Sequence, residues 1–466
     1  MRRPRPIPQK PKARQSGRAG SGPRLPSAPV EVPIERLAHD GRGIGYWDGK
    51  VTFVEQALPG ETHLVRLVEV RSRFQEGISE ACVSDPAPER VNPPCPHYQT
   101  CGGCQLQHLN LDQQRAHKAQ LLRDHLQRAG AGVATGAWEP MLTGSEWGYR
   151  SRARLSIRHK GKPFAGFRQK SSRELVKVSE CPILHPELNR SLSAIQQVLA
   201  GIEPRALGHA ELLRDDSASF CLLRQLKPLR PRDRAQLAEL GRTSGLQVLL
   251  QPGKEGEAGT TVTDPDGNAV APLLGYRLAG LDAPVSFQFQ DFTQINPEIN
   301  RLMVAQALAW ASPAASETWL DLFCGIGNFT LPIASLGCRV IGVELLPYMV
   351  ERARQNAIAQ GLDNCEFVAA DLTSATALKR LPAEIDGVLL DPPRAGAREV
   401  VENLLKLRPK KLLYVSCDPA TFARDAKILL GGGYELIRLS TLDMFPQTMH
   451  VESMGYFEYS GLGKPR

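Results

Sequence analysis

Apolar positions change their rhythm several times along the chain. From residue 30 to 86 short runs of β-formers, such as Val51-Thr52-Phe53-Val54 and Thr62 to Val70, are broken by glycine and by Pro59-Gly60-Glu61. That pattern predicts a small all-β barrel. The run Asp40-Gly41-Arg42-Gly43-Ile44-Gly45 lies inside it. With no strand-loop-helix pattern around them, these read as turn glycines rather than a phosphate loop. A helix is predicted over Leu111–Ala129, then a strand over Ser151–His159 with Arg152, Arg154, Ser156 and Arg158 on one face and Ala153, Leu155 and Ile157 on the other. Residues 201–285 give mixed α/β signals and no visible chemistry. After residue 286, strand-like Thr318–Phe323, Arg339–Leu345, Cys365–Ala370, Gly387–Leu390 and Leu412–Ser416 are each followed by a helical stretch. Two further strands, Tyr434–Leu439 and Val451–Tyr459, have no helix between them. The alternation predicts an α/β fold with a parallel sheet, helices on both faces and a terminal hairpin.

Charge sharpens this division. The first 29 residues hold eight Lys or Arg and no acid. The whole chain has 57 basic and 49 acidic residues, so the remainder balances at 49 against 49. The tail is rich in Pro, Gly, Ser and Arg and reads as unable to fold alone. It is either a solvated arm or one that grips a polyanion. From Tyr149 to Lys177 there are ten basic residues and one acid, Glu174, with Phe164 and Phe167 among them. A solvated face normally mixes both signs, so nucleic-acid contact is expected here. No apolar run reaches the roughly 20 residues of a membrane span, and no apolar segment follows the basic N-terminus. A cytoplasmic protein without membrane association is expected.

Candidate chemistry falls at the carboxyl ends of the predicted parallel strands, where open α/β sheets bind ligands. Asp321-Leu322-Phe323-Cys324-Gly325-Ile326-Gly327-Asn328 closes the first strand. Glu344 ends the second, 19 residues after Gly325, a spacing that suits a carboxylate on ribose hydroxyls. Asp371 ends the third and Asp391-Pro392-Pro393-Arg394 the fourth. One such acid would be an ordinary cap or turn residue; four in register at successive strand ends point to a nucleotide-like cofactor. Cys417 follows the fifth strand, ahead of a helix, where a lowered thiol pKa and a nucleophilic role are expected. Glu452, in Phe445-Pro446-Gln447-Thr448-Met449-His450-Val451-Glu452, is the candidate general base. Elsewhere Cys95-x5-Cys101-x2-Cys104 and the distant Cys181-Pro182 make a four-thiol set. Zinc and a [4Fe–4S] cluster both accept four thiolates, and His97 and His108 keep zinc open.

These motifs carry resemblances. Residues 30–88 resemble a TRAM domain, an OB-like RNA-binding module. The Asp-Leu-Phe-Cys-Gly and Asp-Pro-Pro-Arg blocks resemble class I (Rossmann-like) methyltransferase signatures. The blocks around Cys417 and Glu452 are similar to those of the RNA uracil-C5 methyltransferase family, with Asp418 standing where the family has Asn. From about residue 30 to the end the chain resembles the family's 23S rRNA-modifying branch. That resemblance implies S-adenosylmethionine as cofactor, bound by Gln294, Phe323, Asn328, Glu344, Asp371 and Asp391. It implies Cys417 as nucleophile at uracil C6, Glu452 as base, and 23S rRNA as partner, with no obligate protein partner. It also tips the thiol set, Cys95, Cys101, Cys104 and Cys181, toward [4Fe–4S]. The domains expected are a basic tail (1–29), the TRAM barrel (30–88), a central α/β iron–sulfur domain (89–285) and the methyltransferase domain (286–466). A tRNA-modifying enzyme and a non-catalytic RNA-binding module are the rival expectations.

Overall fold

The computed structural model describes residues 25–253, 261–374 and 384–461. Most of the basic tail, residues 1–24, lies outside the described residues, as do residues 375–383, in the stretch after the third parallel strand where a helix is expected. The chain divides into two compact units, Met1–Pro88 and Glu89–Arg466.

The first unit is a closed five-stranded barrel: β1 (Val30–Leu37), β2 (Gly43–Trp47), β3 (Lys50–Glu55), β4 (Thr62–Val70) and β5 (Phe74–Cys82), in the order β1-β2-β3-β5-β4. Alternate residues of these strands, Val32, Ile34, Val54, Val65 and Leu67, fill its interior. The glycine run is only partly a turn. Gly41 has a positive φ of 85°, but Gly43 and Gly45 lie within β2. A Cβ on Gly45 would meet the Pro33 carbonyl oxygen at 2.1 Å, so glycine is there because β1 passes too close for any side chain.

The second unit opens with α1 (Leu111–Ala129), whose first turn is capped by Asn110. Then follow β6 (Arg152–Arg158), β7 (Phe164–Arg168), β8 (Leu175–Lys177), α2 (Pro186–Leu199), β9 (Leu207–Arg214), β10 (Ser219–Gln225), α3 (Pro231–Ser244) and β11 (Leu246–Pro252). The six strands form one sheet, β11-β10-β9-β6-β7-β8. In β6 the predicted alternation is observed: Ala153, Leu155 and Ile157 are buried against α2 and α3, and Arg154 and Arg158 are exposed. The hairpin β12 (Leu274–Tyr276) and β13 (Val285–Phe287) leads into α4 (Pro297–Ala311).

The rest is the predicted alternating run: β14 (Thr318–Leu322), α5 (Thr330–Ala334), β15 (Arg339–Glu344), α6 (Pro347–Ala359), β16 (Cys365–Ala369), β17 (Gly387–Leu390), α7 (Arg398–Leu407), β18 (Lys411–Ser416), α8 (Pro419–Gly431), β19 (Tyr434–Leu442) and β20 (Glu452–Tyr459). Their sheet runs β16-β15-β14-β17-β18-β20-β19. It is parallel through β18, and β20 pairs antiparallel with both β18 and β19. Trp319, Leu413 and Val415 pack on one face of the sheet; Leu320, Leu322, Leu412 and Tyr414 pack on the other. Burial on both sides explains why these strands read as continuous apolar runs. Two features cross the expected boundary at residue 285. Leu213, Phe220, Leu222 and Leu249 share a core with Val285, Met303 and Trp319. Leu122 and Leu126 of α1 join Phe422, Ala426 and Leu429 of α8.

Candidate active site

Strand register assembles the site. Trp319 to Leu322 pair with Gly387 to Leu390, and these with Lys411 to Tyr414, so β14 and β17 end level and β18 runs two residues further, to Ser416. Phe323, Asp391 and Cys417 therefore leave the sheet along one edge. On the far side of β18, Ser416 pairs with Ser453. The next residue outward on each strand is Cys417 on one and Glu452 on the other. Glu452 is 5% exposed, and its Oε2 has no hydrogen-bond partner. Burial and the nearby Asp391 carboxylate push its pKa up to about 8.

Cys417 is half-buried. Its thiol is pushed up by burial and by the charges of Glu452 and Asp391, while Arg394 pulls it down. The expectation of a lowered thiol pKa at a helix start is thus corrected: desolvation, Glu452 and Asp391 outweigh Arg394 and the Cys417 backbone hydrogen bond. The start of α8 is occupied by Asp418, whose Oδ1 accepts from Ala420 N and Thr421 N, each at 3.0 Å. A carboxylate oxygen caps as an amide oxygen does, so Asp in place of Asn preserves the turn. Arg394 also faces His450, at 3.4 Å between Nη2 and Nδ1. Both lie within blocks quoted from the sequence, but the proximity of Arg394 to the thiol has no signal there.

The cofactor-type residues are placed as follows. The loop after β14 bends back through positive φ at Phe323 (70°), Gly325 (57°) and Gly327 (98°). Phe323 N donates to Val343 O at 2.9 Å. Glu344 Oε2 accepts from Gly325 N at 3.2 Å and Oε1 from Leu346 N at 3.1 Å, tying the ends of β14 and β15 together. A Cβ on Gly325 would meet only Met349 Cε, at 3.5 Å, so backbone is open to a ligand here. Asp371 follows β16 and is exposed; its Oδ1 accepts from Thr373 N at 2.9 Å. Burial and Asp321 raise Asp391 to about 7, and burial raises Asp321 itself to about 7. Asp321 is turned inward, accepting from Thr330 Oγ1 at 2.5 Å. It braces the loop. Asn328 exchanges hydrogen bonds with Asn300, each 3.0 Å, and accepts from Tyr276 Oη at 2.9 Å. Gln294, Asn300 and Tyr276 line one pocket together with Arg152 and Asp216. Asn300 and Tyr276 were not foreseen, because their partner is 28 or 52 residues away in the chain.

Arg152 corrects a second expectation. It donates Nε to Glu211 Oε1 at 2.6 Å and Nη1 to Asp291 O at 2.8 Å, and it is mostly buried. It ties β6 to its neighbour β9 and to the segment after β13, and is not available to a phosphate. Arg154 meets His209 Nδ1 at 3.2 Å, and Arg158 stacks on Phe164 at 4.8 Å.

Cys95, Cys104 and Cys181 share one small cluster, and Cys101 lies near enough to bear on the acidity of all three. Burial, more than the neighbouring sulfurs, pushes Cys104 up to about 11 and Cys181 up to about 12. Tyr98, Tyr149, Trp147 and Ile183 surround them. His108 offers its Nδ1 to Tyr98 Oη at 2.6 Å, which occupies that nitrogen.

Residues 277–459 match the family model described as tRNA (Uracil-5-)-methyltransferase, and residues 27–78 match the TRAM domain. The chain is 42% identical over 444 residues to the 23S rRNA (uracil(1939)-C(5))-methyltransferase RlmD of Alkalilimnicola ehrlichii, covering 93% of this chain and 98% of that one. It is equally identical over 446 residues to the protein of that name from Pseudomonas putida, covering 94% and 96%. Its fold is similar to that of Pyrococcus abyssi tRNA (uracil-54, C5)-methyltransferase, solved with S-adenosyl-L-homocysteine, at a TM-score of 0.69 and 24% identity over 92% of this chain and 100% of that one. The chain belongs to the RNA uracil-C5 methyltransferase family and carries that family's methyltransferase fold behind a TRAM barrel.

Proposed function

We propose that the protein methylates C5 of a uridine in 23S rRNA, in the cytoplasm, using S-adenosylmethionine. The observation that carries this is the β18/β20 register, which brings a half-buried cysteine level with a buried glutamate beside Asp391. S-adenosylmethionine supplies an electrophilic methyl group when bound; Gln294, Phe323, Asn328, Glu344, Asp371 and Asp391 would hold it. The Cys417 thiolate adds to uracil C6, forming a C–S bond and pushing electrons onto the O4 enolate, which makes C5 nucleophilic. Once C5 carries the methyl, Glu452 takes the C5 proton. The 5,6 double bond then re-forms as the C–S bond breaks, and the thiolate is returned. A buried carboxyl with a pKa near 8 is poised to accept a proton and to give it up again near neutral pH.

The barrel and the basic surface around β6 and β7 are read as RNA-binding. The four thiols are read as a [4Fe–4S] site within the central segment, 89–285. An all-sulfur donor set in aromatic surroundings supports this. When bound, the cluster would crosslink Cys181 to the segment from Cys95 to Cys104. Anaerobically purified protein should be brown and hold about four iron and four sulfide per chain; stoichiometric zinc without iron would overturn that assignment. The substrate is tested by mapping 5-methyluridine in RNA from a strain lacking the gene. Loss of one 23S rRNA site is expected; loss from tRNA instead would favour the tRNA reading.

A further inference from the structure

The loop between β19 and β20, which delivers Glu452, is held almost entirely from outside its own sheet. Asp443 is fully buried. Its Oδ1 accepts from Lys118 Nζ at 2.7 Å and its Oδ2 from Arg115 Nε at 3.0 Å. Lys118, also fully buried, donates to Phe445 O at 2.9 Å. Asn296 Nδ2 donates to Met444 O at 3.2 Å and Tyr149 Oη to Pro446 O at 2.9 Å. Gln447 stands at a positive φ of 69° and is 2% exposed. Its carbonyl accepts from Gln105 N at 3.1 Å and Leu106 N at 3.0 Å, the two residues after Cys104. Its side-chain oxygen accepts from Gln114 Nε2, and its own N–H donates to Gln114 Oε1, both at 3.0 Å. Met449 N reaches Gln105 Oε1 at 3.4 Å.

A loop fixed in this way is over-determined. A non-glycine residue at positive φ costs free energy of its own and persists only where its surroundings enforce it. Here the enforcement is two-sided hydrogen bonding from Gln114, plus a buried ion pair that would be costly merely as stabilisation. Three residues after Met449 comes Glu452, whose Oε2 is without a partner. Nothing on β20 holds that carboxylate by its free oxygen, so its aim depends on the strand's entry angle.

We propose that Gln114, with the Lys118–Asp443 pair, positions the Asp443–Met449 loop so that Glu452 faces the C5 proton. These are positioning residues: they touch neither thiol nor base. The cysteine segment takes part through Gln105 and Leu106, so it supports the catalytic step as well as the fold. This inference rests on the assignment of Cys417 as nucleophile and Glu452 as base, and it predicts a lesion confined to proton removal. A reacting group misplaced by about 1 Å loses up to roughly 100-fold in rate.

The test compares the unsubstituted chain with Glu452→Gln, Gln114→Ala and Gln447→Ala, using RNA tritiated at uridine C5 and methyl-labelled cofactor. Methyl transfer, tritium release and covalent adduct on denaturing gels are followed, with thermal unfolding as a check of fold. In Gln114→Ala and Gln447→Ala, tritium release should slow by roughly 10- to 100-fold more than methyl transfer, and adduct should accumulate. Gln447→Ala leaves Gln114 bonded to Leu106 O and Leu109 O and keeps the buried ion pair, so it decides the matter if Gln114→Ala does not fold. Release that keeps pace with transfer, both steps slowing by one factor, or a Gln447→Ala protein that does not fold would each overturn the proposal. If Glu452→Gln itself gives no adduct, the assignment of the base fails instead.

Discussion

Two charged regions of the second unit invite comparison: the carboxyl edge of the seven-stranded sheet and the arginine face of β6. Both are conspicuous in the sequence, yet their charges are spent differently. On the arginine face Arg152 is consumed by Glu211 and the Asp291 carbonyl, and Arg158 lies on Phe164. At the sheet edge, Glu452 keeps a buried oxygen without a partner, and burial raises it to about 8 and the neighbouring Asp391 to about 7. A structural charge is one whose partner is already present. A charge kept buried and uncommitted is costly, and it is retained where chemistry needs it.

The contrast makes predictions of decreasing size. Cys417→Ala should abolish methylation while leaving cofactor affinity unchanged by equilibrium binding; turnover in that variant would remove the covalent mechanism. Lys118→Ala leaves the buried Asp443 with Arg115 as its remaining ionic partner and should destabilise the protein by up to about 3–5 kcal/mol, read by denaturant unfolding. Glu452→Gln should stabilise the protein selectively at high pH. Its folded pKa, about 8, lies above the ordinary carboxylate value, so the stability tied to its proton is present in acid and is lost as pH rises through about 8. The gain in melting temperature over the unsubstituted chain should therefore be larger at pH 9 than at pH 5. Finally, Arg154→Ala and Arg158→Ala should each flatten the plot of log K against log salt by about 0.7–0.9 if they contact phosphate, whereas Arg152→Ala should cost stability and leave the slope unchanged. A slope change on losing Arg152 would erase the distinction between the two regions.

What the sequence made legible follows from range. The strands of the alternating run and the inward face of β6 are local periodicities, and the structure has them where the pattern puts them. Strand-end acids are legible because a parallel sheet aligns the ends of segments far apart in the chain. Partners set by tertiary packing are not: Glu211 lies 59 residues from Arg152, and Asp443 lies 325 from Lys118. The same blindness hid the raised Cys417 thiol. A strand-to-helix junction suggested a lowered value, but the facing Glu452 enters from a strand paired only in three dimensions. The two glycines buried in β2 looked like a turn because the strand that crowds them is invisible in one dimension.

The central claim is that Cys417 and Glu452 divide one covalent cycle between them, and the most direct measurement is the fate of Glu452→Gln protein incubated with RNA substrate and cofactor. Methyl transfer without proton removal should trap RNA on the enzyme. A slow-migrating band should persist in denaturing gels, and mass spectrometry should locate a methylated nucleotide on Cys417. A variant that turns over freely, or an adduct on any other residue, would contradict the account.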